Sequence, residues 1–284
     1  MVRKQNRSSK KKIPAKTPNY LGQHFLHNRK VINKMIDHAN LSKNDLVVEF
    51  GAGKGALTQP LSLKAGQIFA VEYDPQHVNL LKADFSHSDH VRIIQQDILK
   101  FSLPKAPFKL VANIPYAITT PIFEMVLHPF TRLQNGMIII EKGAAKRFTG
   151  TFIKDGYLLV WRMWYQLKYV ETISKYYFSP APKVDSAMLK IIRRKVPLIS
   201  KQDYHDFVKL VNFTFKHPYQ DIIDVLKTIF THTQLKKLRK NLLIKDSLPV
   251  GAVTEEQWAL IFTTMKQYVP EQRWPREKQK KRTR

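Results

Sequence analysis

Five short apolar runs, at residues 46–50, 68–71, 91–94, 110–112 and 137–140, are separated by longer stretches with helical spacing. Strands that alternate with helices pair in parallel and carry the helices on the sheet faces, so this pattern confines the chain to an α/β fold. Upstream, Val31, Ile32, Met35, Ile36 and Ala39 recur at helical spacing behind Asn28, which predicts an N-capped helix before the first strand. Residues 156–177 predict a helix followed by a strand, and 186–192 a further strand, so the sheet is mostly parallel with extra strands at one edge. Beyond Pro197 the period is purely helical. Phe207, Leu210, Val211, Thr214 and Phe215 share one face; the helix around Leu235, Leu238 and Leu242 turns Lys236, Lys237, Arg239 and Lys240 away from its apolar line. A capping box at Thr254 and Gln257 opens a last helix carrying Trp258, Ile261, Phe262 and Met265. The expected organisation is a basic arm at 1–18, an α/β domain at 19–194, a linker near 194–200, a small all-helical domain at 195–269 and a basic tail at 270–284.

The ends of the predicted strands carry polar groups. Glu49-Phe50-Gly51-Ala52-Gly53-Lys54-Gly55 follows the first strand and leads into a helix, where glycines let the backbone turn tightly against a ligand or simply make a tight turn. Glu72 lies 21 residues after Gly51, at the end of the second strand, where nucleoside-binding α/β folds place an acid on the ribose hydroxyls. Asp97 ends the third strand and Asn113 the fourth. The glycine spacing is not that of a dinucleotide fingerprint, and Lys54 is followed by Gly55 rather than by Ser or Thr as a nucleotide phosphate loop requires. A cofactor without phosphate, S-adenosylmethionine, fits this loop better than NAD or ATP.

Asn113-Ile114-Pro115-Tyr116 combines an amide, a rigid X-Pro step and an aromatic ring at a strand exit. These residues serve an ordinary strand-to-loop exit, or they read an adenine amine. The exocyclic amine is a poor nucleophile because its lone pair is delocalised into the ring. Hydrogen bonds from the amine to the Asn113 side-chain oxygen and to a backbone carbonyl favour a pyramidal nitrogen, and Tyr116 is placed to stack on the base.

The formal net charge of +26 indicates a polyanionic partner, and nucleic acid is the leading one. Residues 1–18 hold seven Lys/Arg and no acid, and residues 270–284 hold seven against two, which leaves +14 on the body. The absence of cysteine excludes a disulfide framework, thiolate zinc sites and a cysteine nucleophile. No apolar run reaches the roughly 20 residues a membrane span needs, so the expectation is a soluble, cytoplasmic protein without a membrane partner.

Taken in order, Gly22-Gln23-His24-Phe25-Leu26, the Gly51 loop, Glu72, Asp97-Ile98, Asn113-Ile114-Pro115-Tyr116, residues 141–147 and the stretch from Phe178 through Ser186 resemble the ribosomal RNA adenine N6-dimethyltransferases. The likeness is strongest to the erythromycin-resistance branch that acts on 23S rRNA. It implies a Rossmann-like class I S-adenosylmethionine-dependent methyltransferase domain with a helical RNA-binding domain behind it. Gln23, His24 and Leu26 would close over the methionine end of the cofactor. Gly51 and Gly53 would approach it through backbone, Glu72 would bind ribose, and Asp97 with Ile98 would hold the adenine. Asn113 would touch both cofactor and target amine. Asn113, Ile114, Pro115 and Tyr116 would form the catalytic loop, with Tyr116 and Phe178 sandwiching a flipped adenine. Lys146, Arg147 and Lys183 are the expected phosphate contacts. Many relatives carry Asn where this chain has His24.

The implied reaction is metal-free, in-line methyl transfer to the amine without a covalent enzyme intermediate. The implied partner is 23S rRNA, naked or as an early assembly precursor, met by a monomer, and the consequence is resistance to macrolide, lincosamide and streptogramin B drugs. The rivals are a housekeeping dimethyltransferase of small-subunit (16S) rRNA, a non-catalytic RNA-binding or transcription-factor-like relative, and a DNA adenine methyltransferase.

Overall fold

The computed structural model describes residues 23–276; the expected basic arm, with the rest of residues 1–22 including Gly22, and residues 277–284 lie outside the described residues. One seven-stranded sheet organises the molecule, in the order β4-β3-β2-β5-β6-β9-β7. Its members are β2 (Leu46–Phe50), β3 (Gln67–Glu72), β4 (Val91–Gln95), β5 (Phe108–Asn113), β6 (Leu133–Glu141), β7 (Tyr165–Ile173) and β9 (Ser186–Arg193). The first five strands in that order run parallel, and β9 lies antiparallel between β6 and β7. The expected extra strands therefore sit at one edge.

The helices α1 (Arg29–Ala39), α2 (Thr58–Lys64), α3 (Pro75–Asp84) and α4 (Thr119–Val126) connect or flank these strands. Asn28 caps α1, its side chain accepting from the Val31 amide at 3.1 Å. Behind that cap Val31, Ile32, Met35, Ile36 and Ala39 are all buried, as their spacing requires. A two-stranded ladder that periodicity did not announce pairs β1 (Phe25–Leu26) with β8 (Phe178–Ser179), strapping the start of the described chain to a segment more than 150 residues away.

β6 leads into α5 (Lys142–Thr149), and α6 (Gly156–Trp164) precedes β7. The C-terminal helices are α7 (Tyr204–Thr214), α8 (Ile222–Leu226), α9 (His232–Asn241) and α10 (Glu255–Tyr268), the last two opened by capping boxes. They are not insulated from the sheet. Leu158, Leu159, Trp161 and Trp164 of α6 join Phe207, Leu210, Trp258 and Phe262 in the same apolar core as Val48, Phe50 and Leu110. Each such fully buried side chain contributes about 1.5–3 kcal/mol. Residues 194–200 run back along α6, the Arg194 and Leu198 amides donating to the Trp164 and Met163 carbonyls. Past α10, Trp274 returns to the core and donates its indole N–H to the Val269 carbonyl at 2.8 Å, so the chain stays folded through the first residues of the basic tail. Among the described residues no helix is long and apolar enough to cross a membrane.

Candidate active site

In an open parallel sheet, ligands bind beyond the carboxyl ends of the strands where the strand order reverses. Here that point lies between β2 and β5, because the chain leaves β2 toward β3 and β4 and returns to build β5 and β6 on the other side. A cavity of about 420 Å³ opens at this place. Gln23, His24, Gly51, Gly53, Glu72, Asp97, Ile98, Asn113, Ile114, Pro115 and Tyr116 line it. Eleven of the predicted positions thus converge from segments that are distant in the chain.

The loop after β2 is shaped by positive φ angles, +70° at Gly51 and +55° at Gly53. A β-carbon at Gly53 would stand 2.9 Å from the Phe25 ring, and one at Gly51 would stand 3.4 Å from the Asn113 carbonyl oxygen. Bare backbone is therefore what faces the cavity on this side. Glu72, only 3 % exposed, holds the loop: its carboxylate accepts from the Gly53 amide at 2.8 Å and from the Tyr73 and Asp74 amides at 2.9 Å. Oε1 accepts both the Tyr73 and Asp74 amides, so Oε2, which takes only the Gly53 amide, keeps lone-pair capacity for a ligand hydroxyl. Asp97 uses one oxygen to cap the turn that follows, accepting from the Leu99 amide at 2.9 Å, and keeps the other. Two acids, a glycine cradle and apolar Ile98 form a donor set that fits S-adenosylmethionine.

Asn113 ends β5, and its Nδ2 donates to the His24 backbone carbonyl at 2.8 Å. This bond uses one of the two Nδ2 hydrogens, orients the amide and leaves Oδ1 as an acceptor for the cavity. Tyr116 is anchored by a 2.5 Å hydrogen bond between its hydroxyl and that of Ser186. Burial, followed by the charges of Glu141 and Asp185, raises its pKa despite the Ser186 bond, so the phenol stays protonated at neutral pH. Its ring faces the His24 imidazole, 5.8 Å between centroids and tilted by 37°; His24 in turn meets the Pro180 carbonyl through Nδ1 at 2.8 Å.

Leu26 and Phe178 stand apart from this group. They are paired across β1 and β8 and are 4 % and 3 % exposed, respectively. The alternation of a strand turns Phe178 inward, beneath α1 in the core, and leaves Ser179 exposed. In this arrangement His24 rather than Phe178 is the ring in contact with Tyr116. Leu26 instead borders a neighbouring cavity of about 570 Å³ on the far side of Gly51 and Asn113.

Lys146 and Lys183 are exposed and border a shallow depression of about 500 Å³ together with Lys142 and Lys175. Arg147 lies outside it and approaches Asp155 at 3.7 Å.

Sequence reasoning missed Glu49. It precedes the glycine loop, is fully buried, and neither of its oxygens makes a hydrogen bond of good geometry. Burial, reinforced by the charge of Glu72 and only partly offset by Thr58, raises its pKa to about 8. The acid is therefore neutral at pH 7. Its place inside the otherwise apolar run of a central parallel strand was the one signal of burial; nothing local told that no cation would meet it. Ser186 was also missed as the partner of Tyr116, since the two are 70 residues apart.

Comparison with known proteins agrees with this geometry. A rRNA adenine N-6-methyltransferase from Bacillus licheniformis is 48 % identical over 283 residues, 99 % of both chains. The ribosomal RNA small subunit methyltransferase A of Streptococcus gordonii is 32 % identical over 240 residues, covering 80 % of this chain and 83 % of that one. Among solved structures, the 23S rRNA methyltransferase ErmE superposes with a TM-score of 0.77 at 26 % identity, over 86 % of this chain and all of that one. With the ribosomal RNA adenine dimethylase family model matching residues 15–267 as well, the chain belongs to that family: it is an S-adenosylmethionine-dependent rRNA adenine N6-methyltransferase.

Proposed function

We propose that this enzyme dimethylates one adenine of 23S rRNA, as naked RNA or an early assembly precursor, and so confers resistance to macrolide, lincosamide and streptogramin B drugs. The observation that carries the chemistry is the Asn113 amide, whose nitrogen is held toward the His24 carbonyl and whose oxygen is left to accept from an amine. The target branch is supported by the likeness to ErmE. It is supported also by the run Ala117-Ile118-Thr119-Thr120-Pro121 behind the tetrapeptide, which resembles the resistance enzymes.

S-adenosylmethionine supplies an electrophilic methyl group when bound. Gly51 and Gly53 would admit it against bare backbone, Glu72 would take a ribose hydroxyl and Asp97 its adenine amine. Asn113 Oδ1 and the Ile114 carbonyl accept the two N–H bonds of the target amine. They pull the nitrogen toward pyramidal geometry and expose its lone pair. Pro115, with its fixed φ, keeps the Ile114 carbonyl and the Tyr116 ring in register. Tyr116 stacks on the base, an interaction worth about 1–3 kcal/mol. The proton leaves after transfer, when the nitrogen has become acidic, so no residue need act as a general base. A second round on the same nitrogen completes dimethylation.

The rival target, small-subunit rRNA, is represented among the relatives by the Streptococcus gordonii enzyme. Labelled methyl transfer to deproteinised 23S rRNA and to small-subunit particles, followed by primer extension, separates the two. A single stop in 23S rRNA and raised macrolide tolerance in a sensitive host are expected. Modification confined to small-subunit particles overturns the assignment.

A further inference from the structure

Tyr176 is 74 % exposed, yet it stands on a tightly held turn. Ser174 caps that turn, its hydroxyl accepting from the Tyr176 amide at 3.4 Å and its carbonyl from the Tyr177 amide at 3.1 Å. Asp185 fixes the turn from the other side, accepting from the Lys175 amide at 3.2 Å. An aromatic side chain exposed to this degree on a rigid support contributes almost nothing to the core. Around it the surface is cationic. The Lys175 ammonium lies 5.4 Å from the Tyr176 ring centroid, and Lys142, Lys146 and Lys183 border the same depression as Lys175. Lys142 is matched by Asp185 at 3.5 Å, whereas Lys146, Lys175 and Lys183 make no ion pair among the described residues.

The depression is coupled to the catalytic loop through one peptide step. Ser186, bonded to the Tyr116 hydroxyl at 2.5 Å, directly follows Asp185, which holds the Lys175 turn. We propose that Tyr176 is a stacking platform for a nucleotide neighbouring the target adenine, with Lys146 and Lys183 on the phosphates of the same single-stranded segment. The proposal rests on the RNA-methylating reading of the adjoining cavity and extends it to specificity for an unpaired flank. A flat aromatic face flanked by unpaired cations matches single-stranded RNA, whose bases offer π-faces and whose backbone offers regularly spaced anions. A protein partner would leave the three unpaired lysines desolvated without need.

The test uses a short single-stranded RNA containing 2-aminopurine, whose fluorescence falls on stacking, with the full-length protein and its Tyr176→Ala and Tyr176→Phe variants. Quenching and affinity are expected to survive in Tyr176→Phe. In Tyr176→Ala the quenching is lost and affinity falls at least about five-fold. Lys146→Gln with Lys183→Gln lowers the slope of log affinity against log salt by about 1.4, two single-strand phosphate contacts. Unchanged quenching and affinity in Tyr176→Ala overturn the proposal, as does an equal loss in both Tyr176 variants. Methyl transfer by the unaltered enzyme to 23S rRNA is read in parallel. Tyr176-dependent quenching without transfer overturns the target assignment but not the platform, and transfer with Tyr176-independent quenching does the reverse. Thermal unfolding of the variants is expected to match the parent, because the ring makes little contact with the core.

Discussion

The Asn113 side chain donates its amide hydrogen to the backbone carbonyl of His24, 89 residues away, at 2.8 Å. The segment that closes over the cavity therefore also sets which end of the catalytic amide faces the substrate. Asn113→Asp places a second acceptor against that carbonyl and removes the donor that orients the side chain. We expect transfer to fall at least 100-fold while S-adenosylmethionine affinity changes only a few-fold, by radiolabel assay and calorimetry respectively. Turnover within ten-fold of the parent would remove Asn113 from the chemistry.

Tyr116 and Ser186 form a second orienting pair. A hydrogen bond of this kind contributes about 0.5–1.5 kcal/mol, so Tyr116→Phe and Ser186→Ala should each lower kcat/KM by roughly two- to twelve-fold, and the double variant should be no worse than either alone. Tyr116→Ala, which also loses the stacking face, should be far more impaired. Independent, additive losses would mean that the two hydroxyls act separately.

The neutral Glu49 makes stability depend on pH. Its folded pKa, about 8, lies above the ordinary value of 4.5. Between these values the folded state holds a proton that the unfolded state has released, so its contribution to stability is full below about 4.5 and declines as pH rises toward 8. Glu49→Gln keeps the shape and cannot ionise. Its melting temperature is expected to exceed that of the parent at pH 8 by several degrees, with the gap closing at pH 5; parallel melting curves against pH would contradict the assignment.

Arg162 ties the α6 helix to both neighbours. Only 7 % exposed, it donates to the Phe148 and Gly150 carbonyls at 2.5 and 2.8 Å and meets Glu255, at the start of α10, at 3.1 Å. Arg162→Leu leaves two carbonyls and a carboxylate without their donor, and a loss of about 3–5 kcal/mol in denaturant unfolding is expected. Glu255→Gln, which keeps an acceptor, should cost well under half as much. A small effect of Arg162→Leu would show that water replaces the guanidinium.

Much of the fold was written locally. Each parallel strand is a short apolar run, polar residues stand at or just past several strand ends, and Asn28 and Thr254 mark helix starts by side-chain chemistry alone. Such features act over a few residues, so the α/β class, the glycine loop and the set Glu72, Asp97, Asn113 and Tyr116 could be read without coordinates. Tertiary structure decided what depends on partners far along the chain. The β1–β8 pairing turned Phe178 into the core, His24 chose the orientation of Asn113, Ser186 met Tyr116, and the helices after Pro197 fused with α6 into one core rather than forming a separate one. Two-residue strands and single hydrogen bonds leave no periodic trace in a sequence, and the burial that neutralises Glu49 is the sum of neighbours from several elements, which only the assembled fold brings together.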